Sequence, residues 1–201
     1  MLRSGDADIL NFLEQIQLAR NVPIGLRCYR LRTMCMHFGR WLNLEPEAMR
    51  QLVFLCYCHG LGKISIPDQI LFKTGRLTEK EWTKVKEYPE VSELICNQHP
   101  LLKEFAFLVR THQERLNGTG YPDGLRGEKI PYIVQVFQLV NAADAIISKR
   151  LYRNRSDPPG IRPYWKQAVA EITKEINLGA RDPELCEKFF RFLELYYRGG
   201  G

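Results

Sequence analysis

The sequence lacks a long hydrophobic run, a Cys-x-x-Cys pair and any run of basic residues. No apolar stretch approaches the roughly 18 residues of a membrane-spanning helix, and the first eight residues lack the apolar core of a signal peptide. We therefore expect a cytoplasmic protein with no membrane partner. The 29 basic and 23 acidic residues give a net charge of +6, which suggests an anionic partner. Because the basic residues are scattered, nucleic acid is not the partner that we expect.

The six cysteines, at positions 28, 35, 56, 58, 96 and 186, lie mostly within apolar helical patterns. We expect them to be buried small hydrophobic residues of a reduced protein. Cys56 and Cys58 are the closest pair in sequence, but alternate residues of a helix point in divergent directions. The two thiols are therefore not expected to form a metal or redox cluster.

No convincing strand pattern occurs, and the apolar residues recur at helical spacing almost throughout the chain. The sequence predicts an all-α fold, a single bundle of about 7–9 helices. Helix signals include Pro46, the capping box Thr78–Glu81 and Pro131, and residues 101–112 are predicted to form one helix. We predict an N-terminal helix and lead-in over residues 1–24, one domain over 25–197 and a flexible tail over 198–201.

Two glycine-containing stretches interrupt the helical pattern. The first runs from His59 to Asp68. The second, residues 112–132, has the sequence HQERLNGTGYPDGLRGEKIPY, with four glycines and two prolines. Loops of this length and density are usually functional.

Together the two stretches resemble the signature blocks of the HD-GYP family, phosphodiesterases that act on cyclic di-GMP. The resemblance covers roughly residues 25–195. It implies an all-α HD domain and a GYP loop formed by Gly118, Gly120, Tyr121, Pro122 and Gly124. It also implies a site where histidines and aspartates hold divalent ions that activate a water.

At the positions where the resemblance places metal ligands, His59 and His112 are retained, and the second aspartate of the later motif is Asp144. The other positions hold Gly60, Tyr88, Gln113 and Asn141, and two upstream positions fall near Pro23 and Arg27. We therefore expect no catalytic residues, only remnants of the family site at His59, Lys63, His112 and Asp144. No cofactor is expected; if a metal does bind, it is a weakly held Fe, Mn, Ni or Zn ion.

Three cations stand where the resemblance places phosphate-binding groups, namely Lys63, Arg150 and Arg153. Lysine and arginine bind phosphate without a metal through charge-assisted hydrogen bonds. The alternative is that all three are solvated surface charges.

Three hypotheses for function follow. The leading one is a catalytically inactive HD-GYP-like module that senses cyclic di-GMP or another nucleotide, or that docks a signalling protein such as a diguanylate cyclase domain through the GYP loop. The second is a metal-dependent cyclic di-GMP phosphodiesterase with residual or altered activity, its metal bound by His59, His112, Asp144 and a neutral amide. The third is a ligand-free scaffold or homodimerisation domain.

Overall fold

The computed structural model describes the backbone of residues 3–20, 22–153 and 164–198, and the side chains of these ranges apart from 20, 22–26 and 149–153. Within them the chain forms ten α-helical segments and three 3₁₀ turns. The α-helices are α1 (Asp6–Arg20), α2 (Val22–Trp41), α3 (Pro46–Cys58), α4 (Asp68–Leu71), α5 (Glu79–Lys86), α6 (Tyr88–Asn97), α7 (Ala106–Thr111), α8 (Tyr132–Arg153), α9 (Tyr164–Asn177) and α10 (Pro183–Arg198). The 3₁₀ turns are Leu61–Ser65, Lys103–Phe105 and Gly127–Lys129.

The all-α prediction is confirmed. The described residues contain no strand, only one isolated antiparallel bridge between Asn117 and Arg126. The predicted number was about 7–9 helices. The described residues form ten helical segments, and one of these, α4, is a single turn of four residues, so nine longer helices remain. The predicted capping box is present, because the Thr78 side chain accepts from the Glu81 backbone while the Glu81 carboxylate accepts from the Thr78 backbone.

The prediction of one helix over residues 101–112 is wrong. The segment divides into the 3₁₀ turn Lys103–Phe105 followed by the short helix α7. The turn places the Phe105 ring, fully buried, in a stack on Phe54 of α3 with 4.1 Å between centroids. The helix is therefore interrupted at the residue whose ring packs on Phe54.

The hydrophobic core surrounds α3, whose residues from Leu52 to Cys58 are all buried. Helices α2, α7 and α8 pack against it, and α10 adds the ring of Phe189, edge-to-face, and the tilted ring of Phe192 against Phe38. All six cysteines are buried and unpaired, as predicted. Cys56 contacts Cys35 and Cys58 contacts Cys96, so the two thiols of α3 point to different neighbours.

A buried ion pair fixes α1 to α3. The Arg50 guanidinium donates two hydrogen bonds to the Asp6 carboxylate, at 2.7 and 2.9 Å, and both side chains are almost completely buried. Arg50 also lies over the rings of Phe54 and Phe105. Removing one member of such a pair leaves a buried uncompensated charge, so α1 is an integral part of this bundle.

Candidate functional site

The centre of the candidate site is a pair of buried histidines at the ends of two helices. His59 follows α3 and His112 follows α7. They are 3% and 1% exposed, and their ring centroids lie 5.5 Å apart. Phe137 of α8 closes one side of the pair, 5.1 Å from the His59 ring.

The tautomer of each histidine follows from its backbone contacts. Nδ1 of His59 lies 3.1 Å from the carbonyl oxygens of Leu55 and Cys56, and Nδ1 of His112 contacts the carbonyl oxygen of Val109. A carbonyl oxygen only accepts, so each Nδ1 carries the hydrogen and each Nε2 presents a lone pair. Metal-binding histidines commonly have this arrangement.

The lone pair of His112 is already occupied. The Tyr88 hydroxyl lies 2.7 Å from His112 Nε2 and, given the tautomer, donates to it. The Gln113 amide donates to the same hydroxyl oxygen at 2.6 Å. Tyr88 and Gln113 therefore form a neutral hydrogen-bonded group with His112.

Asp144 on α8 is held by two arginines of α2. Arg27 Nε lies 3.1 Å from Asp144 Oδ2, and Arg30 Nε lies 3.0 Å from Oδ1. Arg27 also donates to the Asn141 side-chain oxygen at 2.9 Å. The oxygens of Asp144 and Asn141 are therefore bound by guanidinium groups.

Lys63 lies in the 3₁₀ turn after His59, and its side chain folds back over Gly60. A Cβ placed on Gly60 would lie 4.0 Å from Lys63 Nζ. The ammonium is 5.2 Å from the centroid of the Tyr88 ring. Among the described residues, no carboxylate forms an ion pair with it.

The packing of the turn onto α6 explains this geometry. The backbone N–H of Gly62 donates to Ser92 Oγ at 2.7 Å, and a Cβ on Gly62 would lie only 2.0 Å from the Tyr88 carbonyl oxygen. Real Cβ atoms do not approach a carbonyl so closely, so glycine is required here for the backbone to touch α6.

Burial and neighbouring cations lower the pKa values of Lys63, His59 and His112. Burial, followed by the charge of Arg27, lowers the pKa of Lys63 to about 8. Burial lowers the pKa of His112 to about 3, with Lys63 and Arg27 acting in the same direction. Burial and Lys63 also hold the pKa of His59 well below its usual value. Both imidazoles are thus neutral at physiological pH, and the pocket carries its positive charge on Lys63 and the arginines.

The GYP loop is anchored by one buried carboxylate. Glu114, 1% exposed, accepts hydrogen bonds from the backbone N–H groups of Asp123, Gly124 and Leu125 at 2.7, 3.1 and 3.0 Å. Gly118 and Gly124 adopt the left-handed conformation, and the Tyr121–Pro122 peptide bond is cis. Tyr121 of the loop lies close enough to Tyr88 for each to shift the pKa of the other.

The donor atoms of this site do not fit the two divalent ions that the family resemblance implies. A bridging carboxylate is missing at Gly60, the Asp144 carboxylate is shared by Arg27 and Arg30, and His112 Nε2 accepts from Tyr88. Within the described part of the chain, no three His, Cys, Asp or Glu side chains are grouped to hold a metal ion. A guanidinium beside the aspartate would repel a divalent ion.

Thus the structure brings together His59, Lys63, Tyr88, His112, Gln113, Asn141 and Asp144 from separate sequence blocks. The side chains of Pro23, Arg150 and Arg153 lie outside the described residues, so their predicted roles stay predictions. Sequence reasoning did not anticipate that Arg27 and Arg30 pair with Asp144. The available signal was that Arg27 stands near a position where the resemblance predicts a metal ligand, and that Asp144 stands at another such position.

The fold is a helical bundle with two neighbouring histidines at helix ends. The HD domain profile matches residues 12–181, and the chain belongs to the HD domain family. This confirms the resemblance stated from the two sequence blocks.

Two proteins with similar sequences are cyclic di-GMP phosphodiesterases. A cyclic di-GMP phosphodiesterase response regulator of Xanthomonas campestris is 38% identical over 114 residues, 56% of this chain and 30% of the relative. A cyclic di-GMP phosphodiesterase of Thermotoga maritima is 28% identical over 186 residues, 92% of this chain and 48% of the relative. The chain therefore spans less than half the length of either protein.

The fold is also similar to that in a crystal structure of a cyclic GMP-AMP-specific phosphodiesterase from Vibrio cholerae. The TM-score is 0.59 at 16% identity, over 87% of this chain and 45% of that one. At this identity the similarity establishes the fold alone. Across the described helices, none is both long and apolar enough to cross a membrane.

Proposed function

We propose that the pocket binds the phosphodiester backbone of a cyclic dinucleotide through its own cations and does not hydrolyse it by a two-metal mechanism. The relatives named above support the ligand class, since they act on cyclic di-GMP or cyclic GMP-AMP. The proposal concerns the HD domain described here.

The observation that carries the proposal is the Lys63 ammonium. It lies within the pocket over Tyr88 without a carboxylate partner among the described residues, while Arg27 and Arg30 share the single carboxylate of Asp144. The cations therefore outnumber the anions, and the two histidines add no negative charge. A phosphate oxygen would supply the missing anion, and its attraction is strong where water is partly excluded.

The cations of the site then have a role in binding. Lys63 donates to a phosphate oxygen, and Arg27, whose charge lowers the pKa of Lys63, contributes further positive charge. The Nε2 lone pair of His59 accepts but does not donate, so it makes no hydrogen bond to a phosphate oxygen, and Tyr88, His112 and Gln113 form a neutral hydrogen-bonded group. Divalent ions, where a family member holds them, would activate a water for hydrolysis; no such step is assigned to the donor atoms found here.

The second candidate is the metal-dependent phosphodiesterase. The names of the relatives favour it over an inactive module at the level of the family, since each is called a phosphodiesterase. In this chain its metal would be held by His59, His112, Asp144 and the amide of Asn141 or Gln113. Arg27 would first have to release Asp144 and Asn141, and Tyr88 would have to release His112. Docking of a signalling protein and homodimerisation stay predictions.

Calorimetric titration tests the binding proposal. Wild type should bind cyclic di-GMP or 3′3′-cyclic GMP-AMP, and Lys63→Met should weaken binding roughly 10- to 100-fold, because a hydrogen bond to a charged group is worth about 1.5–3 kcal/mol. The matched control is Lys188→Met, an exposed lysine paired with Glu184 on α10, which should bind like wild type. No heat from wild type, or equal affinity of Lys63→Met, would refute the proposal.

Metal content and turnover separate the two candidates. Protein purified without chelator is assayed for Fe, Mn, Ni and Zn, then incubated with each ion and a cyclic dinucleotide while chromatography follows linear product. We expect no stoichiometric metal and no product. Metal-dependent cleavage that is lost in His59→Ala would establish the phosphodiesterase instead.

A further inference from the structure

Trp82 is a large aromatic side chain on a helix that buries nothing. None of the eight residues of α5 is buried, and Trp82 itself is 46% exposed. Its indole is not isolated, because it packs edge-to-face against Tyr121 of the GYP loop, with 6.2 Å between centroids and 78° between planes. This contact fixes the orientation of the indole while leaving nearly half of the side chain in solvent.

The exposed indole is connected to the cationic pocket by two tyrosines. Tyr121 lies close enough to Tyr88 for each to shift the pKa of the other, and the Lys63 ammonium lies 5.2 Å from the centroid of the Tyr88 ring. Tyr88, 4% exposed, therefore lies between Tyr121 and the partly exposed Lys63. A series of three aromatic side chains thus ends at a cation.

A nucleotide has the complementary distribution, with a flat base attached through a sugar to an anionic phosphate. Exposed aromatic rings beside cationic groups bind nucleotides by stacking the bases while the cations hold the backbone. The face of an indole also gains more from stacking than an aliphatic side chain of similar area.

We propose that Trp82, held in place by Tyr121, is the surface on which one base of the cyclic dinucleotide stacks while Lys63 binds a phosphate. This inference rests on the proposed function and adds the base-binding part of the same site. Stacking tolerates any base, so Trp82 would contribute affinity for cyclic dinucleotides in general rather than a choice between guanine and adenine.

The competing explanation is that the Trp82–Tyr121 contact only holds the GYP loop against α5. The loop has strong anchors of its own, since Glu114 accepts from three backbone N–H groups and Arg110 makes a two-bond contact with Asp123 at 2.7 Å. Removing the indole should therefore leave the loop folded, which lets the two explanations be separated.

A single-tryptophan protein provides the direct readout. The chain has three tryptophans, so the double variant Trp41→Phe/Trp165→Phe keeps Trp82 as the sole indole. Stacking of a base on this indole should quench its fluorescence on titration with cyclic di-GMP, with a midpoint equal to the calorimetric Kd. Trp82→Leu, which keeps apolar volume but removes the aromatic face, should lose roughly 5- to 140-fold in affinity, from about 1–3 kcal/mol per stacked base. Trp82→Phe should lose less, and both variants should unfold at the wild-type temperature.

The outcomes distinguish this inference from the proposed function. Saturable calorimetric binding without quenching, together with unchanged affinity of Trp82→Leu, would overturn the stacking site and leave phosphate binding by Lys63 in place. A second pattern would also overturn the stacking site and show that the Trp82–Tyr121 contact is purely structural. In that pattern Trp82→Leu unfolds at a lower temperature, Trp82→Phe binds like wild type, and the single-tryptophan protein shows no quenching. No binding of any cyclic dinucleotide by wild type would overturn both.

Discussion

The Lys63 ammonium should destabilise the folded protein, so Lys63→Met should make it more stable. Burial and Arg27 lower the pKa of Lys63 from its ordinary 10.5 to about 8. One pKa unit corresponds to about 1.4 kcal/mol, so the shift amounts to about 3 kcal/mol at pH 7. The side chain is partly exposed, which reduces this to about 2 kcal/mol, and loss of the contact with the Tyr88 ring removes about 0.5–1 kcal/mol more. The expected net gain is about 1–1.5 kcal/mol, or about 2–6 °C in Tm for a chain of this size.

The pH dependence provides the sharper assay. Because the folded pKa lies below the unfolded one, the penalty is fully present below about pH 8. It declines as the pH rises from about 8 toward 10.5, where the unfolded chain also loses the proton. Thermal unfolding followed by circular dichroism at pH 6.5, 7.5, 8.5 and 9.5 should show the advantage of Lys63→Met shrinking above pH 8.

Two control variants make the interpretation specific. Lys63→Arg keeps a charge in the pocket and should not be stabilised. Lys188→Met removes an exposed lysine and should change stability by no more than about 0.5 kcal/mol. If Lys63→Met is as stable as wild type or less stable at pH 7, or if its advantage does not depend on pH, Lys63 is not a partly buried, uncompensated cation and the binding argument loses its basis.

Three further predictions follow from the same geometry. Affinity for cyclic di-GMP should fall as the pH rises through about 8, because Lys63 loses its proton, whereas Lys63→Arg should hold its affinity to higher pH; calorimetry from pH 6.5 to 9.5 measures both. In Gly60→Asp the new carboxylate should pair with Lys63, since a Cβ there lies 4.0 Å from Nζ. By cancelling the charge of Lys63 it should weaken cyclic di-GMP binding roughly tenfold and should not produce cleavage. Any cleavage would show that the ligand positions have been misassigned. Gly120→Ala places a Cβ 2.4 Å from the backbone at the start of the GYP loop and should lower the free energy of unfolding, measured with denaturant, by about 1–3 kcal/mol. In the control Gly75→Ala the Cβ meets nothing within 4 Å, so stability should not change. Equal stability of the two variants would contradict the loop packing.

The helices were predictable where the sequence contains explicit start signals. Pro46 and the capping box at Thr78 mark the beginnings of α3 and α5, and both signals act within one turn of the chain. The 3₁₀ turn Lys103–Phe105 was not predictable, because Phe105 packs on Phe54, which lies far away in sequence. Tertiary packing of this kind overrides local helical spacing.

The same distinction applies to the site. The residues of the two signature blocks could be named from the resemblance, which also predicts carboxylates where Gly60 and Asn141 stand. The contact between Arg27 and Asp144 could not be named, because 117 positions separate the two residues and only the packing of α2 on α8 brings them together. Exposed Trp82 was likewise invisible as a site residue, since nothing local links α5 to Tyr121.

The buried Glu114 carboxylate has a consequence for the thermodynamics of recognition. Its three backbone hydrogen bonds give the GYP loop its shape before any ligand arrives. A partner molecule meets a rim that is already ordered, so little of the association free energy is consumed in arranging that segment. Small changes in the contacting side chains should then appear almost undiminished in the measured Kd.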